Sequence, residues 1–293
     1  IGNTATKMSN FEANIFPQMQ VQEPATQDLP VVTERVATRV NTLQMKVSII
    51  TVTYNSAKFL ADCIRSVQMQ NYKNIEHIII DGKSTDGTVG IIKKMEGGIA
   101  KWVSESDKGM YDAINKGMRM ATGDIIGILN SDDMLEDDHV IFNIVKEFVE
   151  KKTDAIYGDL EFVSQEDTSK VLRIWKGQPY KRDRFKYGWM PAHPTFYIRS
   201  HLISKYGGYE THYYTAADYE FMARYLFTHK ITASYLPKLI VRMRVGGASN
   251  VNFKQRFRAN RRDYLAMKKN KIPFAFIVSI LKPLIKLHQF GGK

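Results

Sequence analysis

A single cysteine, Cys63, occurs in 293 residues, which excludes an intramolecular disulfide and a cysteine-built zinc site. Long apolar runs are also missing: no stretch of ~18 uncharged apolar residues reads as a membrane span. The apolar stretch from Ile272 to Phe290 is interrupted by Pro273, Lys282, Pro283 and Lys286. The N-terminus shows no basic segment followed by an apolar core, so no secretory signal is expected and a reducing, cytoplasmic setting fits. Acidic residues are in deficit, 30 against 42 Lys and Arg, for a net charge of +12. That excess points to an anionic partner such as nucleic acid, membrane lipid or a phosphorylated substrate. No nucleic-acid motif accompanies it, so nucleic acid is not expected. Hydrophobic content of 44% and charged content of 25% are those of a globular chain and argue against wholesale disorder.

Residues 1–44 are rich in Gln, Thr, Asn and Pro and open on Ile1. They are expected to be an extension outside the main fold, the leader of a longer product, with a short helix over Val31–Leu43. Strong patterning begins at Met45. Val47–Thr53 is a β-branched run of strand length, and Tyr54-Asn55-Ser56 supplies a turn and helix start. Phe59, Leu60, Cys63, Ile64 and Val67 recur at helical spacing. Strands are predicted at Ile75–Ile80, Ile99–Val103 and Asp124–Leu129, with helices at Ser84–Met95 and Met110–Met120. This alternation predicts an α/β fold, a mainly parallel twisted sheet flanked by helices, with ligands beyond the carboxyl ends of the strands. A helix to Lys151, strands at Ala155–Val163 and Lys170–Trp175, and an irregular aromatic stretch from Gly177 to Gly208 follow. Helix Ala217–Thr228, strand Ile231–Met243 and a basic helix Phe253–Asn270 complete the pattern. The expected division is a domain over 45–250, with a nucleotide half at 45–135 and an acceptor half at 136–250, then C-terminal helices over 251–293.

Four strand ends carry the chemistry. After the first, Thr53-Tyr54-Asn55 offers a ring to stack on a base and polar groups for its edge, although Tyr-Asn is also ordinary turn chemistry. After the second, Asp81-Gly82-Lys83-Ser84 sets a carboxylate where a base N–H or ribose hydroxyl can donate to it; a plain turn with Ser84 as N-cap accounts for the same residues. The third is followed by Asp107-Lys108-Gly109, able to place an acid near a sugar hydroxyl and a base near phosphate, or simply a solvated loop. The fourth ends at Asn130-Ser131-Asp132-Asp133. Adjacent oxygen-bearing side chains there suit Mg²⁺ or Mn²⁺, bound through Asp132 and Asp133 together with substrate phosphates. Helix capping by either aspartate is the plainer alternative.

In this order and spacing, Val-Ser-Ile-Ile-Thr-Val-Thr-Tyr-Asn, Ile-Ile-Asp-Gly-Lys-Ser-Thr-Asp-Gly-Thr, Ser-Asp-Lys-Gly-Met-Tyr-Asp-Ala-Ile-Asn-Lys-Gly and Leu-Asn-Ser-Asp-Asp resemble glycosyltransferase family 2, from about Lys46 to Asn250. The resemblance implies a GT-A fold and transfer of a sugar, with inversion, from a nucleotide-diphosphate donor, UDP-linked, in polysaccharide or glycoconjugate biosynthesis. It implies that Thr53, Tyr54, Asn55 and Asp81 bind the nucleoside, that Asp107 and Lys108 line the donor site with Asn130 and Ser131, and that Asp132 is the chief metal ligand. Two departures stand out: Asn130 takes the first place of the family's Asp-x-Asp motif, and Thr53 stands where many members have proline. Ala217-Asp218-Tyr219-Glu220 resembles the acidic motif that supplies the base, with Asp218 as the matching residue and Ala217 replacing a common Glu. His193, in Pro191-Ala192-His193-Pro194, resembles a further motif near acceptor or diphosphate, and is otherwise a structural histidine. Arg242 and Arg244 with Gly246-Gly247-Ala248-Ser249 resemble the element that closes over the diphosphate, or are plain surface.

The Gln-x-x-Arg-Trp motif of processive members is not found, so one sugar per encounter is expected. Basic residues from Lys254 to Lys271 followed by Phe274, Phe276 and Ile277 suit an anchor over 253–290 on an anionic membrane face, where a polyprenyl-linked acceptor would sit. A helix packing its apolar side on the domain has the same pattern. The acceptor is expected to be a glycan or lipid-linked sugar. The alternatives are a nucleotidyltransferase, which would carry a Gly-rich basic loop after the first strand, and a non-catalytic nucleotide-sugar-binding module.

Overall fold

The computed structural model describes residues 44–246 and 253–279, the side chains of 253–257 excepted. The expected helix at Val31–Leu43, the Gly247-Ala248-Ser249 part of the closing element and the tail beyond 279 lie outside the described residues. Strand β1 (Val47–Thr53) is buried along its whole length, as a β-branched strand covered on both faces should be. It pairs in parallel with β2 (Ile75–Asp81) on one side and β4 (Ile125–Ile128) on the other, and β3 (Lys101–Ser104) continues beyond β2, also in parallel. The register sets Thr53 beside Asp81 and Asp81 beside Ser104. Three of the four expected loops therefore start on one edge of the sheet.

Successive residues of β1 feed opposite faces. Ile50 and Val52 join one core with Ala113, Ile114, Tyr219 and Phe221, whereas Val47 and Ile49 join another with Cys63, Val67, Ile141 and Phe148. Helix α1 (Leu60–Gln68) buries Leu60, Cys63, Ile64 and Val67, a spacing of three and four that forms one apolar stripe. Helix α2 (Thr88–Lys94) follows β2. Helix α3 (Met110–Met120) follows β3 and lies on β1 through Gly117, where a Cβ would come 2.4 Å from Ile50 Cγ2. Glycine is thus required by that approach.

The second half departs from a parallel pattern. Strand β5 (Met134–Leu135), helix α4 (Val140–Lys151), β6 (Ala155–Val163), β7 (Val171–Trp175), β8 (Tyr197–Arg199), helix α5 (Ser200–Tyr206), helix α6 (Ala217–Met222), β9 (Ala233–Arg244) and helix α7 (Phe253–Lys269) follow in order. The sheet runs β3-β2-β1-β4-β8-β6-β9-β5, with β7 paired to β6. β8 is antiparallel to both β4 and β6, whereas β6 and β9 are parallel. The irregular stretch before Gly208 contains β8 and α5, which are too short to show periodicity.

Two elements differ from expectation for local reasons. The helix predicted from Ser84 begins at Thr88, because the Ser84 hydroxyl and N–H both donate to Asp81 while Asp86 accepts from the Thr88 N–H and hydroxyl. Ser84 is a loop brace and not the N-cap. The helix over Ala217–Thr228 is α-helical to Met222 and widens into a π-helical turn over Ala223–Thr228. Helix α7 packs one face inward through Ala266 and Met267, fully buried, and leaves Arg258, Arg261, Leu265 and Lys268 exposed. Among the described residues no helix is long and apolar enough to cross a membrane.

Candidate functional site at the strand ends

The first two loops are bonded into one unit. Asn55 sits at φ 51, a left-handed conformation that asparagine tolerates. From there its N–H donates to Ser84 Oγ (2.8 Å) and its side-chain oxygen accepts from the Thr85 N–H (2.9 Å). Ser56 N–H donates to Thr88 Oγ1 and Ala57 N–H to Asp86. Asp81 is fully buried, and its carboxylate accepts from Ser84 N–H (3.0 Å), Ser84 Oγ (2.5 Å) and Ser104 Oγ (2.6 Å). That leaves it little free acceptor capacity. Tyr54 by contrast is 66% exposed beside Gly82, and Thr53 Oγ1 is buried without a hydrogen-bond partner. Asp107 reaches the same spot: its Oδ2 lies 2.7 Å from where a Gly82 Cβ would stand, and its Oδ1 accepts from the Gly109 N–H. Lys108 is exposed at the start of α3.

The fourth loop is tied to the first by a hydrogen bond of 2.9 Å between Ser56 Oγ and Ser131 Oγ. Its carboxylates have different surroundings. Asp133, fully buried, accepts from Asn130 Nδ2 (2.8 Å) and from the Arg244 N–H (3.3 Å). Asp132 is half-buried; its backbone oxygen accepts from Arg244 Nη1 at 2.9 Å, and its carboxylate accepts from its own backbone N–H. The pairing of Met134 with Arg242 in β5 and β9 brings Arg244 alongside Asp132. Arg244 is 5% exposed, donates through Nη2 to Asp62 (2.7 Å), and lies 5.0 Å over the Phe59 ring. Burial holds both aspartates above the usual carboxylate range, and the Asp132 charge pushes Asp133 up further. Two adjacent acids, each costly to ionise, lower their energy when a cation approaches. The Asp132 carboxylate, which no other side chain engages among the described residues, is the kind of oxygen donor that hard divalent cations use. Behind the loop, Cys63 donates to the Asn130 carbonyl at 3.3 Å, and burial pushes its thiol up to about 12, so it acts as an inert brace. Arg242 is held by Glu136 and Glu161. A separate group, Asp137, Asp138 and His139, brings three candidate ligand atoms together, but all three are exposed and His139 already bonds Asp138.

Asp218 stands in the first turn of α6, with its Oδ1 accepting from the Tyr219 N–H at 2.7 Å. The Tyr111 hydroxyl meets the Asp218 backbone, and Tyr111 stands in the first turn of α3, the helix that follows Asp107 and Lys108. Its ring stacks on Tyr209, 5.2 Å between centroids, and Tyr209 stacks on Phe221 at 4.2 Å. His193 shares a 2.7 Å hydrogen bond between its Nε2 and the Tyr209 hydroxyl. Burial lowers the His193 pKa, and the Asp218 charge partly opposes that shift. His193 and Asp218 thus belong to one cluster. Asn115 clamps Tyr209 through two hydrogen bonds of 2.8 Å.

Residues 48–204 match the family model described as Glycosyl transferase family 2, which is more than half of the chain. The chain belongs to that family. An uncharacterized glycosyltransferase of Mycobacterium tuberculosis is 33% identical over 180 residues, covering 61% of this chain and 68% of the relative. Among solved structures, S. aureus TarS superposes with a TM-score of 0.61 at 18% identity, covering 83% of this chain and 43% of that one; a shorter form, TarS 1-349, was solved with UDP-GlcNAc. The mannosyltransferase PcManGT from Pyrobaculum calidifontis, solved with GDP-Man and Mn2+, superposes with a TM-score of 0.57 at 16% identity over 89% of this chain and 83% of its own. These structures show the fold. Family membership makes the chain a glycosyltransferase and decides against a nucleotidyltransferase and a non-catalytic module.

Within this family 2 chain, the residues singled out by sequence fall into three kinds of surroundings. Tyr54, Asp107, Lys108 and Asp132 present side chains that the fold leaves partly or wholly open. Asn55, Asp81, Asn130, Ser131, Asp133 and Arg244 spend their polar atoms on holding the loops. Arg242 is engaged by two glutamates, Glu136 and Glu161. Sequence reasoning missed Asp62, Ser104, Asn115, Tyr111 and Tyr209. Tyr111 and Asn115 stand in a quoted motif, and their spacing on α3 was the available signal.

Proposed function

We propose that this chain transfers a sugar from a nucleotide-diphosphate sugar, UDP-linked, to a hydroxyl of a glycan or lipid-linked acceptor, with inversion. The observation that carries the reading is the Asp132 carboxylate, desolvated and met only by its own backbone N–H among the described residues, at the end of four strand-end loops hydrogen-bonded into one cradle. Tyr54 receives the base, and the turn from Thr53 to Asn55 borders the ribose, with Asp81 and Asn55 holding the loop in shape. Asp107 and Lys108 border the sugar and diphosphate. Asp132, with Asp133 braced behind it, would hold Mn²⁺ or Mg²⁺, which when bound neutralises charge on the departing nucleoside diphosphate.

On the acceptor side, Asp218 takes the proton from the attacking hydroxyl as its oxygen bonds to the anomeric carbon and the bond from that carbon to the diphosphate oxygen breaks. His193, neutral through burial, orients Tyr209 and the wall beside Asp218. Exposed Arg258, Arg261, Lys268 and Lys271, followed by Phe274, Phe276 and Ile277 at 76%, 65% and 54% exposure, support a seat on an anionic cytoplasmic membrane face, where a lipid-linked acceptor of a polysaccharide or glycoconjugate pathway would be met. The test is a screen of nucleotide sugars with Mn²⁺ or Mg²⁺, read as thermal stabilisation and donor hydrolysis. One donor should stabilise the protein only with the cation, and Asp132→Asn should abolish the cation-dependent part. Equal stabilisation with and without cation in both proteins would sink the assignment.

A further inference from the structure

Tyr214 is built in a way that Asp218 alone does not explain. Its backbone lies at φ 47 and ψ −120 inside the Thr211–Ala216 segment, a region nearly reserved for glycine. Its neighbour Tyr213 is buried, yet the Tyr214 ring is 59% exposed. An aromatic side chain held in a costly backbone conformation to stand in solvent calls for a use. The ring is not loose, because the Arg262 guanidinium of α7 lies 4.3 Å over its centroid. One face is covered by a cation and the remainder is open.

The location is the acceptor side of the cleft. Tyr214 precedes Asp218 by four residues, a span of at most ~14 Å even for extended chain. Asp263, next to Arg262, acts electrostatically on Tyr111 and Tyr219, and the Tyr111 hydroxyl meets the Asp218 backbone. Helix α7 therefore borders the base with the same turn that pins Tyr214. An open aromatic face fixed in plane is the surface on which the C–H face of a pyranose packs, while its hydroxyls remain solvated or hydrogen-bonded.

We propose that Tyr214, pinned by Arg262, is the stacking platform for the acceptor, and that the acceptor presents a pyranose ring there. This rests on Asp218 being the base. The test uses p-nitrophenyl pyranosides as acceptor probes in the full chain and compares transfer with donor hydrolysis by water. Tyr214→Gly removes both ring and strain, so its melting temperature should equal or exceed that of the wild type. Its KM for the pyranoside should rise at least tenfold, with donor hydrolysis within twofold. Tyr214→Phe should keep the wild-type KM within twofold, and Arg262→Met should raise it severalfold. An unchanged pyranoside KM in Tyr214→Gly overturns the proposal, as does a parallel loss of hydrolysis and transfer. Failure of the wild type to hydrolyse or transfer from any nucleotide sugar would instead remove the sugar-transfer reading, and this inference with it.

Discussion

Replacing Glu220 by Gln should be among the most damaging single changes outside the cleft. Glu220 has no exposed surface, and Arg224 is 7% exposed one turn later. The Arg224 Nε lies 3.1 and 3.2 Å from the two carboxylate oxygens, and its Nη2 3.2 Å from one of them. The remaining guanidinium donors hold the carbonyls of Tyr206, Gly207 and Gly208, the chain leading into Tyr209. Lys269 and Asn270 reach the same carboxylate at 3.2 and 3.4 Å. Neutralising Glu220 leaves a buried guanidinium without its counter-charge, a change that typically costs about 3–5 kcal/mol. Lys269 is half-exposed, so its lost partner adds little. For a domain of this size each kcal/mol lowers the melting temperature by ~2–4 °C, which sets the expected drop at ~10 °C, measured by thermal and urea unfolding. A Glu220→Leu, Arg224→Met double variant buries no charge but strips the donor from the Tyr206, Gly207 and Gly208 carbonyls and the acceptor from Asn270, so it should lose at least as much as Glu220→Gln alone. Stability of Glu220→Gln within about 1 kcal/mol of the wild type, below the range for a broken buried pair, would refute this account.

Three further outcomes follow from other parts of the molecule. Asp218→Asn should bind donor and cation as the wild type does, by thermal shift, while transfer falls ~10²–10⁴-fold, the usual span for a lost general base; retention of full transfer would remove Asp218 from that role. His77 is buried with its pKa lowered by desolvation to about 4 from 6.5, so between those values the unfolded chain takes up a proton that the folded chain refuses. Stability should therefore fall as pH drops from 6.5 towards 4, by ~3 kcal/mol from this residue, and His77→Leu should flatten that slope in urea titrations at stepped pH; an identical slope would count against the assignment. A triple Phe274→Ser, Phe276→Ser, Ile277→Ser variant should lose co-sedimentation with vesicles containing anionic lipid, and equal binding by both proteins would remove the membrane seat.

The parallel half was legible in the sequence because it obeys two local rules: apolar β-branched runs for buried strands, and three-and-four spacing for the helices between them. Val47–Thr53, Met110–Met120 and Ala155–Val163 fall at their expected bounds. The misses share a different cause. β8, at three residues, and α5, at seven, carry no period, and the place of β8 between β4 and β6 is set by tertiary pairing. Ser84 resembled an N-cap because serine before a helix usually is one, but a buried Asp81 three residues earlier is the stronger competitor for its hydroxyl. Strand ends identified the loops that the fold hydrogen-bonds into one unit. Which side chain in each loop faces outward depends on contacts more than twenty residues distant in sequence, such as Asn55 with Ser84 and Ser56 with Ser131.

The departure at Asn130 is where this difference between motif and contact has most consequence. The first place of the acidic motif carries no charge, and the Asn130 amide donates to Asp133 at 2.8 Å, which an ionised aspartate could not do. An aspartate in that place would instead set a third carboxylate against Asp132 and Asp133, both already raised by burial, and would disfavour ionisation of all three. Asparagine converts that repulsion into a brace. With Arg244 bonding the Asp133 carboxylate through its N–H and the Asp132 carbonyl through Nη1, Asp132 is left as the carboxylate that only its own backbone N–H meets. The proposed metal motif is therefore better described as one ligand and its supports than as a row of equivalent acids.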